Sequence, residues 1–504
     1  MEKIAIIKLG SDNVNLSLVD VAPNGYYNLF DEVTENIKLG VSVEQSALVK
    51  PTIISETLNI LKLYRKICDA NNVCKIYAVA ESFIKLAKNQ KSFFDEIYNN
   101  TGFSFYIYTP EEEVKIVYRG ITNLIDVSKA IGIYISPNQT HILQFNRRTI
   151  VNVQTIDYGY LNLAEKFADV LDPAVKTEKM VGEIEDLLKN NEFINNIEPE
   201  TTFIGAGTVF ESLGKLSRKV SKYPLDLENN YCLTKESFDA VYDIVKSLDL
   251  DKTKKLKGIS ESRADALASG LAIIKALTNI CKMPSISICA NAFDEGITIQ
   301  ALPMEIQERI VPTDMLTMSL ETIRTFYDRE LSNTANVYNL AIMLFKQLKV
   351  IHKLSRVYIK PLRIAASMYN CGTRIDFKNY ASKSFEIIIN SNIKGVSQKD
   401  ILIAAFACKC QKLDNFSLAE LMKYSSILTE EDFDAIRKLG VLIELACAMD
   451  KSRMGNITDI TCDILGDSII MKTITKADAS FDIIQAQKVA VDFKKVFKKV
   501  LQVI

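Results

Sequence analysis

The sequence predicts an α/β protein of two similar lobes, followed by an all-α half and a small α+β terminus. Three observations predict it. Strand and helix patterns alternate over residues 1–300, and within that stretch the order strand, tight polar turn, strand, strand, helix occurs twice. From Leu302 onward strand signals fade into helical periodicity, and a hairpin pattern returns only near the end.

The first copy opens with the apolar run Ile4 to Lys8, closed by the turn Leu9-Gly10-Ser11-Asp12-Asn13 and followed by alternation from Val14 to Val21. A third strand near Tyr27 to Val33, a helix over Ser46 to Ala70 and a buried strand at Lys75 to Ala80 come next. A strand over Phe103 to Tyr108 then leads into a helix opening at Pro110-Glu111-Glu112-Glu113, where proline and acids suit the positive end of a helix dipole. The second copy has a hairpin of Ala130 to Ile135 and Thr140 to Phe145, a third strand at Arg148 to Thr155, and helices near Tyr160 to Val170 and Glu178 to Lys189. Thr202 to Thr208 is a buried strand running into a tight turn, Arg263 to Cys281 a long helix and Ser285 to Ala290 a last strand. The two hairpin turns should face each other across a cleft. Beyond Leu302, helices are expected around Ala341 to Phe345, Leu362 to Met368, Ile401 to Cys408 and Leu439 to Met449. A hairpin about Gly466-Asp467 and a basic helix from Phe481 to Leu501 close the chain. Domains are expected at 1–124, 125–300, 301–440 and 441–504.

With 48% hydrophobic and 24% charged residues the composition is that of a chain that folds. A net charge of −1 gives no general electrostatic hold on nucleic acid. Every apolar run is broken by charge short of the roughly 18 residues a membrane helix needs. Ten cysteines without a Cys-x-x-Cys pair, and only two histidines, predict free thiols and no zinc site. The start runs straight into a strand, so no signal peptide is expected, and the expected location is the cytoplasm.

Six stretches together resemble the motifs of the Ppx/GppA family, the exopolyphosphatases and guanosine pentaphosphate phosphohydrolases. Lys8-Leu9-Gly10-Ser11-Asp12 stands for Asp-Leu-Gly-Ser-Asn, and Ala80-Glu81-Ser82-Phe83-Ile84-Lys85 for Ala-Thr-Ser-Ala-x-Arg. Thr109 to Lys115 with Tyr118-Arg119-Gly120 is similar to the run that supplies the catalytic glutamate. Arg263-Ala264-Asp265 resembles an Arg-Ala-Asp helix, Asp294-Glu295-Gly296 an Arg-Glu-Gly turn, and Leu445 to Arg453 the C-terminal Leu-Ala-x-Ala-Leu-Asp-Arg-Ser-Arg. The resemblance implies two actin-like (ribonuclease H-like) lobes, an HD-type helical domain behind them, and release of terminal phosphate with Mg²⁺ if the protein is active.

The departures fall on the chemistry. The second phosphate loop of the family, Asp-x-Gly-Gly-Gly-Ser-Thr-Glu, is replaced by Tyr134 to His141, where Pro137 lacks an N–H and fixes its φ. Lys8 and Tyr134 replace two carboxylates that could hold Mg²⁺. In the helical domain the resemblance puts Tyr369, Asn370, Tyr380, Lys383 and Cys410 at former metal-ligand positions, so no metal is expected there.

Glu113 is the candidate general base, and its alternative is to complement the helix N-terminus together with Glu111 and Glu112. Gly10 and Ser11 offer an anion backbone and hydroxyl donors, or form an ordinary hairpin turn. Lys8 either binds a phosphate directly or pairs with Glu113, or another acid across the cleft, and closes the site. Gly205, Gly207 and Thr208 form a strand-to-helix turn suited to phosphate or to packing alone. Arg147-Arg148 is a hairpin tip, the lysines of the last helix are a solvated face, and His141 and His352 are structural. The expected function is binding of a polyphosphate or guanosine pentaphosphate-like ligand with weak or absent hydrolysis, the alternative being an active phosphohydrolase. A homodimer is left open.

Overall fold

A computed structural model describes residues 1–146, 149–198, 200–256, 259, 261–304, 307, 314–327, 331–413 and 417–504, with backbone alone at 261–262, 265, 327 and 331–333. The expected hairpin tip Arg147-Arg148 lies outside the described residues. The chain folds as two compact units, one of Met1–Tyr223 with Glu228–Met315, the other of Pro224–Leu227 with Leu316–Ile504.

The first unit holds two sheets. In the first, β1 (Glu2–Leu9), β2 (Asn13–Val21), β3 (Tyr27–Asn36), β4 (Lys75–Ala80) and β5 (Phe105–Ile107) lie in the order β3-β2-β1-β4-β5. β1 pairs antiparallel with β2 and parallel with β4. Helices α1 (Leu39–Ser46), α2 (Pro51–Ala70), α3 (Gln90–Thr101) and α4 (Pro110–Leu124) complete this lobe. The single helix expected over Ser46 to Ala70 is two. Ala47, at φ 52°, ends α1, and Pro51 opens α2 after Lys50, which the proline holds extended.

The second sheet runs β10-β11-β9-β6-β7-β8. Its strands are β6 (Lys129–Ile135), β7 (Thr140–Asn146), β8 (Thr149–Ile156), β9 (Phe203–Ala206), β10 (Tyr231–Thr234) and β11 (Ser285–Cys289). Read from the other edge, β8-β7-β6-β9-β11 repeats the order of the first sheet, which is the duplication seen in the sequence. β10 was not expected, because four residues with only Tyr231 and Leu233 buried make too short a signal. Around this sheet lie α5 (Tyr160–Lys166), α6 (Pro173–Leu188), α7 (Glu192–Asn195), α8 (Thr208–Val220), α9 (Lys235–Val245), α10 (Leu250–Lys254) and α11 (Glu261–Cys281).

Each lobe has its own core. Ile7, Leu9, Val14, Leu16, Leu61 and Tyr64 fill the first, and Ile131, Ile133, Ile142, Leu271, Ile274 and Leu277 the second. Each such side chain contributes about 1.5–3 kcal/mol by leaving water. After β11 the chain returns to the first lobe as α12 (Ala292–Ala301), which packs on α4 and touches β1. α4 and α12 approach backbone to backbone. A Cβ on Gly120 would lie 1.7 Å from the Ala292 carbonyl oxygen, and one on Gly296 2.1 Å from that of Ile116. This contact carries Asp294 to the end of β1.

The second unit is helical, with Leu331–Gln347, Ile359–Met368, Tyr380–Ile389, Gln398–Lys409 and Glu430–Ala448 its longer helices beyond Tyr327. A three-stranded sheet follows, β12 (Ile457–Leu465), β13 (Ser468–Thr475) and β14 (Val500–Val503), in that order. The basic helix expected over Phe481 to Leu501 is two short helices, Ser480–Lys488 and Ala490–Phe497, and then a strand. Lys498 turns left-handed at φ 57°, and buried Leu501 and Val503 alternate with exposed residues as β14 pairs parallel with β13.

Candidate functional site

The turn after β1 is closed by Gly10 N–H donating to the Asn13 carbonyl at 2.9 Å. Its polar side chains reach the other lobe. Ser11 Oγ lies 2.9 Å from the hydroxyl of Tyr160, the first residue of α5, and that hydroxyl donates to Asp12 Oδ2 at 2.6 Å. The matching turn, Ser136 to Gln139, joins β6 to β7. Its carbonyls point into α5, where Ser136 O accepts from Tyr160 N–H at 3.2 Å and Pro137 O from Leu161 N–H at 2.8 Å. Gly159 lies tight beneath, with a Cβ there falling 2.1 Å from Ser136 O. Both turns therefore meet at the start of α5, and the second of them lines a cleft of about 260 Å³ together with Glu81, Ser82, Glu113 and Asp157.

The three acids opening α4 divide their work. Glu112 forms a capping box, accepting from Thr109 N–H at 2.8 Å while Thr109 Oγ1 accepts from Glu112 N–H at 3.2 Å. Glu113 turns inward and accepts from Ser82, from its N–H at 2.5 Å and its hydroxyl at 2.9 Å. Burial pushes the Glu113 carboxyl up to about 7, with the Ser82 bonds pulling the other way.

Lys8, near the end of β1, forms an ion pair with Asp294 of α12 and stands 5.8 Å from the centre of the Phe293 ring. Burial pulls the Lys8 ammonium down, but the charges of Asp294 and Glu81 outweigh it and hold Lys8 above its ordinary value. Beside this pair, Tyr134 is stacked between Phe293 at 6.0 Å and His141 at 6.1 Å, with rings within 14° of parallel. His141 is buried and neutral, burial lowering it to about 4. Tyr134 also lies against Gly207, where a Cβ would stand 3.1 Å from the ring.

The model of the Ppx/GppA phosphatase family matches residues 19–305, and that of Ppx/GppA phosphatase, domain III, matches 317–482. The chain belongs to the Ppx/GppA phosphatase family. A guanosine-5'-triphosphate,3'-diphosphate pyrophosphatase of Aeromonas salmonicida (strain A449) is 22% identical over 90% of this chain and 89% of its own. One of the same name from Pseudoalteromonas translucida (strain TAC 125) is 20% identical over 81% and 80%. Among solved structures, an exopolyphosphatase from Cytophaga hutchinsonii aligns with a TM-score of 0.55 at 18% identity, over 60% of this chain and 98% of that one. The Aquifex aeolicus member of the Ppx/GppA family aligns at 0.52 and 22%, over 61% and 98%. The two lobes thus have the actin-like fold that the motifs implied.

The expected site residues of this Ppx/GppA member have the following surroundings. Lys8 was expected to pair with Glu113 or another acid across the cleft; its partner is Asp294, because the α4–α12 contact delivers that residue to β1 while Glu113 is held by Ser82. Ser11 is buried with its hydroxyl engaged by Tyr160. Gly205 is a packing glycine, its missing Cβ replaced by the Phe210 ring, and Gly207 takes φ 97° at the start of α8, before Thr208. Of the expected site residues only Glu113 lines this cleft; Lys8, Gly10, Ser11, Gly205, Gly207 and Thr208 lie outside its lining.

Sequence reasoning missed Asp294, Glu81 and Tyr160. The signal for Asp294 was present. The family motif has Asp at the position of Lys8 and Arg at that of Asp294, so both signs are reversed together.

The donor set left in the cleft does not fit Mg²⁺, a hard cation that wants several charged oxygens. Lys8 and Tyr134 stand where two carboxylates would, Glu113 is committed to Ser82, and burial raises Glu81 to about 8. In the helical unit, Tyr380 donates to Gln411 Oε1 at 3.2 Å and Gln411 Nε2 to the Tyr369 carbonyl at 3.1 Å. Among the described residues no cluster of three His, Cys, Asp or Glu is placed to hold a metal, and no helix is long and apolar enough to cross a membrane.

Proposed function

We propose that the chain binds a phosphorylated ligand, a polyphosphate chain or a guanosine pentaphosphate-like nucleotide, in the cleft between the two lobes, with weak or absent hydrolysis. The family and the names of its relatives support the ligand class. One observation carries the loss of hydrolysis: the Lys8–Asp294 pair, where the family motifs have a carboxylate and an arginine. The Tyr134 stack and the inward-turned carbonyls of Ser136 and Pro137 support the same reading. In this proposal Gly10 and Ser11 shape the first phosphate position, Lys8 stands beside it with its charge offset by Asp294, and Gly205, Gly207 and Thr208 serve packing.

A second reading, residual phosphohydrolase activity, is favoured by Glu113. A cleft carboxyl near 7 has the pKa expected of a general base at neutral pH. The test is phosphate release from polyphosphate and from guanosine pentaphosphate, each with and without Mg²⁺, beside Glu113→Gln. Mg²⁺-dependent turnover abolished by Glu113→Gln would replace the binding reading with the enzymatic one.

The proposal extends to the organisation of the chain. The expected bounds 1–124, 125–300, 301–440 and 441–504 serve with three changes: α12 joins the first lobe, the degenerate HD-type domain without metal begins near Leu316, and the helix Glu430–Ala448 runs across its end into the terminal domain. The protein acts in the cytoplasm.

A further inference from the structure

Glu81 follows directly on β4, next in the sheet to β1, and its backbone N–H donates to the Leu9 carbonyl at 3.1 Å. This places its side chain over the Gly10 turn. A Cβ added to Gly10 would lie 2.9 Å from Glu81 Oε1, so the carboxyl rests on the face that the glycine leaves bare. In a phosphate-binding turn, that bare face is where a ligand oxygen approaches the backbone. Glu81 lines the cleft, its carboxyl accepts no hydrogen bond among the described residues, and Lys8 is the cation acting on it. Its geometry is that of a carboxyl group standing where a bound anion would, beside a lysine.

We infer that Glu81 is the specificity-determining residue of the cleft: its carboxyl occupies the first phosphate position, so that a ligand must displace it to bind. The inference rests on the proposed phosphate-binding reading. The obstruction has two parts. The volume of the side chain excludes a phosphate whatever its charge. Ionisation adds repulsion only above about pH 8, because burial and the charges of Glu113 on α4, Asp12 on the turn and Asp294 on α12 raise the Glu81 carboxyl against the pull of Lys8 on β1.

Titration calorimetry at about pH 9, where Glu81 is ionised, with inorganic phosphate and with tripolyphosphate, on wild type, Glu81→Thr and Glu81→Gln, separates the parts. Glu81→Thr, which removes volume and charge, should bind tripolyphosphate at least about tenfold more tightly than wild type, and Glu81→Gln, which removes charge alone, should gain less. Cooperative thermal melts establish that each variant is folded, and the isosteric Glu81→Gln keeps the test open if Glu81→Thr does not fold. Wild type binding as tightly as the folded variants would overturn the inference and leave the phosphate reading standing. Folded variants that bind neither probe would overturn the phosphate reading itself.

Discussion

Lys8 and Asp294, 286 positions apart, form an ion pair in the first lobe, with the Lys8 side chain 12% exposed and that of Asp294 35%. The pair is neutral, and it reverses the order of charges in the motifs it replaces. Removing one member leaves the other poorly solvated, but exposure of Asp294 discounts the penalty for a buried pair. Lys8→Met and Asp294→Asn should each cost about 1–3 kcal/mol in urea unfolding. The double variant Lys8→Asp/Asp294→Arg should lose less than the sum of its singles; additive losses would show that the pair is not coupled.

Lys8→Asp alone should behave differently. It places a third acid beside Asp294 and Glu81, so its melting temperature should fall below that of Lys8→Met. Mg²⁺ should recover part of that loss, since an ion bound only by the folded state stabilises it. Equal stabilisation of wild type by Mg²⁺ would mean that the cleft binds the ion despite Lys8.

Stability should fall as pH rises through neutrality. Burial raises Glu113 to about 7 and Glu81 to about 8 from an ordinary value of 4.5. Between those limits the folded state holds more protons than the unfolded one, so this contribution is full below about pH 4.5 and is lost as pH rises past about 8. Glu113→Gln should flatten this decline, reducing the loss of unfolding free energy between about pH 4.5 and pH 8 by on the order of 3 kcal/mol, read by urea unfolding across that range. A slope unchanged in Glu113→Gln and in Glu81→Gln would place the titrating groups elsewhere.

Gly207→Ala should destabilise by about 1–3 kcal/mol, because φ 97° is strained for any L side chain and its Cβ would press on Tyr134. Gly205→Ala should cost as much or more, since its Cβ would fall 2.1 Å from the Phe210 ring. Thermal melts of the two variants check both, and neutral effects would show that the turn relaxes freely.

The sequence by itself determined the two-lobed order of elements, because strand alternation, polar turns and helix caps are local. Gly10 and Pro137 were placed on facing turns, and Glu113 on the first turn of a helix, from such signals alone. Where local signals compete, the reading failed: Ala47 and Lys498 turn left-handed without a glycine to announce it, so α2 was read too long and β14 as helix. The tertiary structure alone decided the electrostatics of the cleft. Asp294 reaches Lys8 only because two glycines let α12 lie against α4, and Glu81 covers Gly10 only because β4 pairs with β1. Pairing of charges across hundreds of positions depends on which backbones can touch, and no window of sequence contains that.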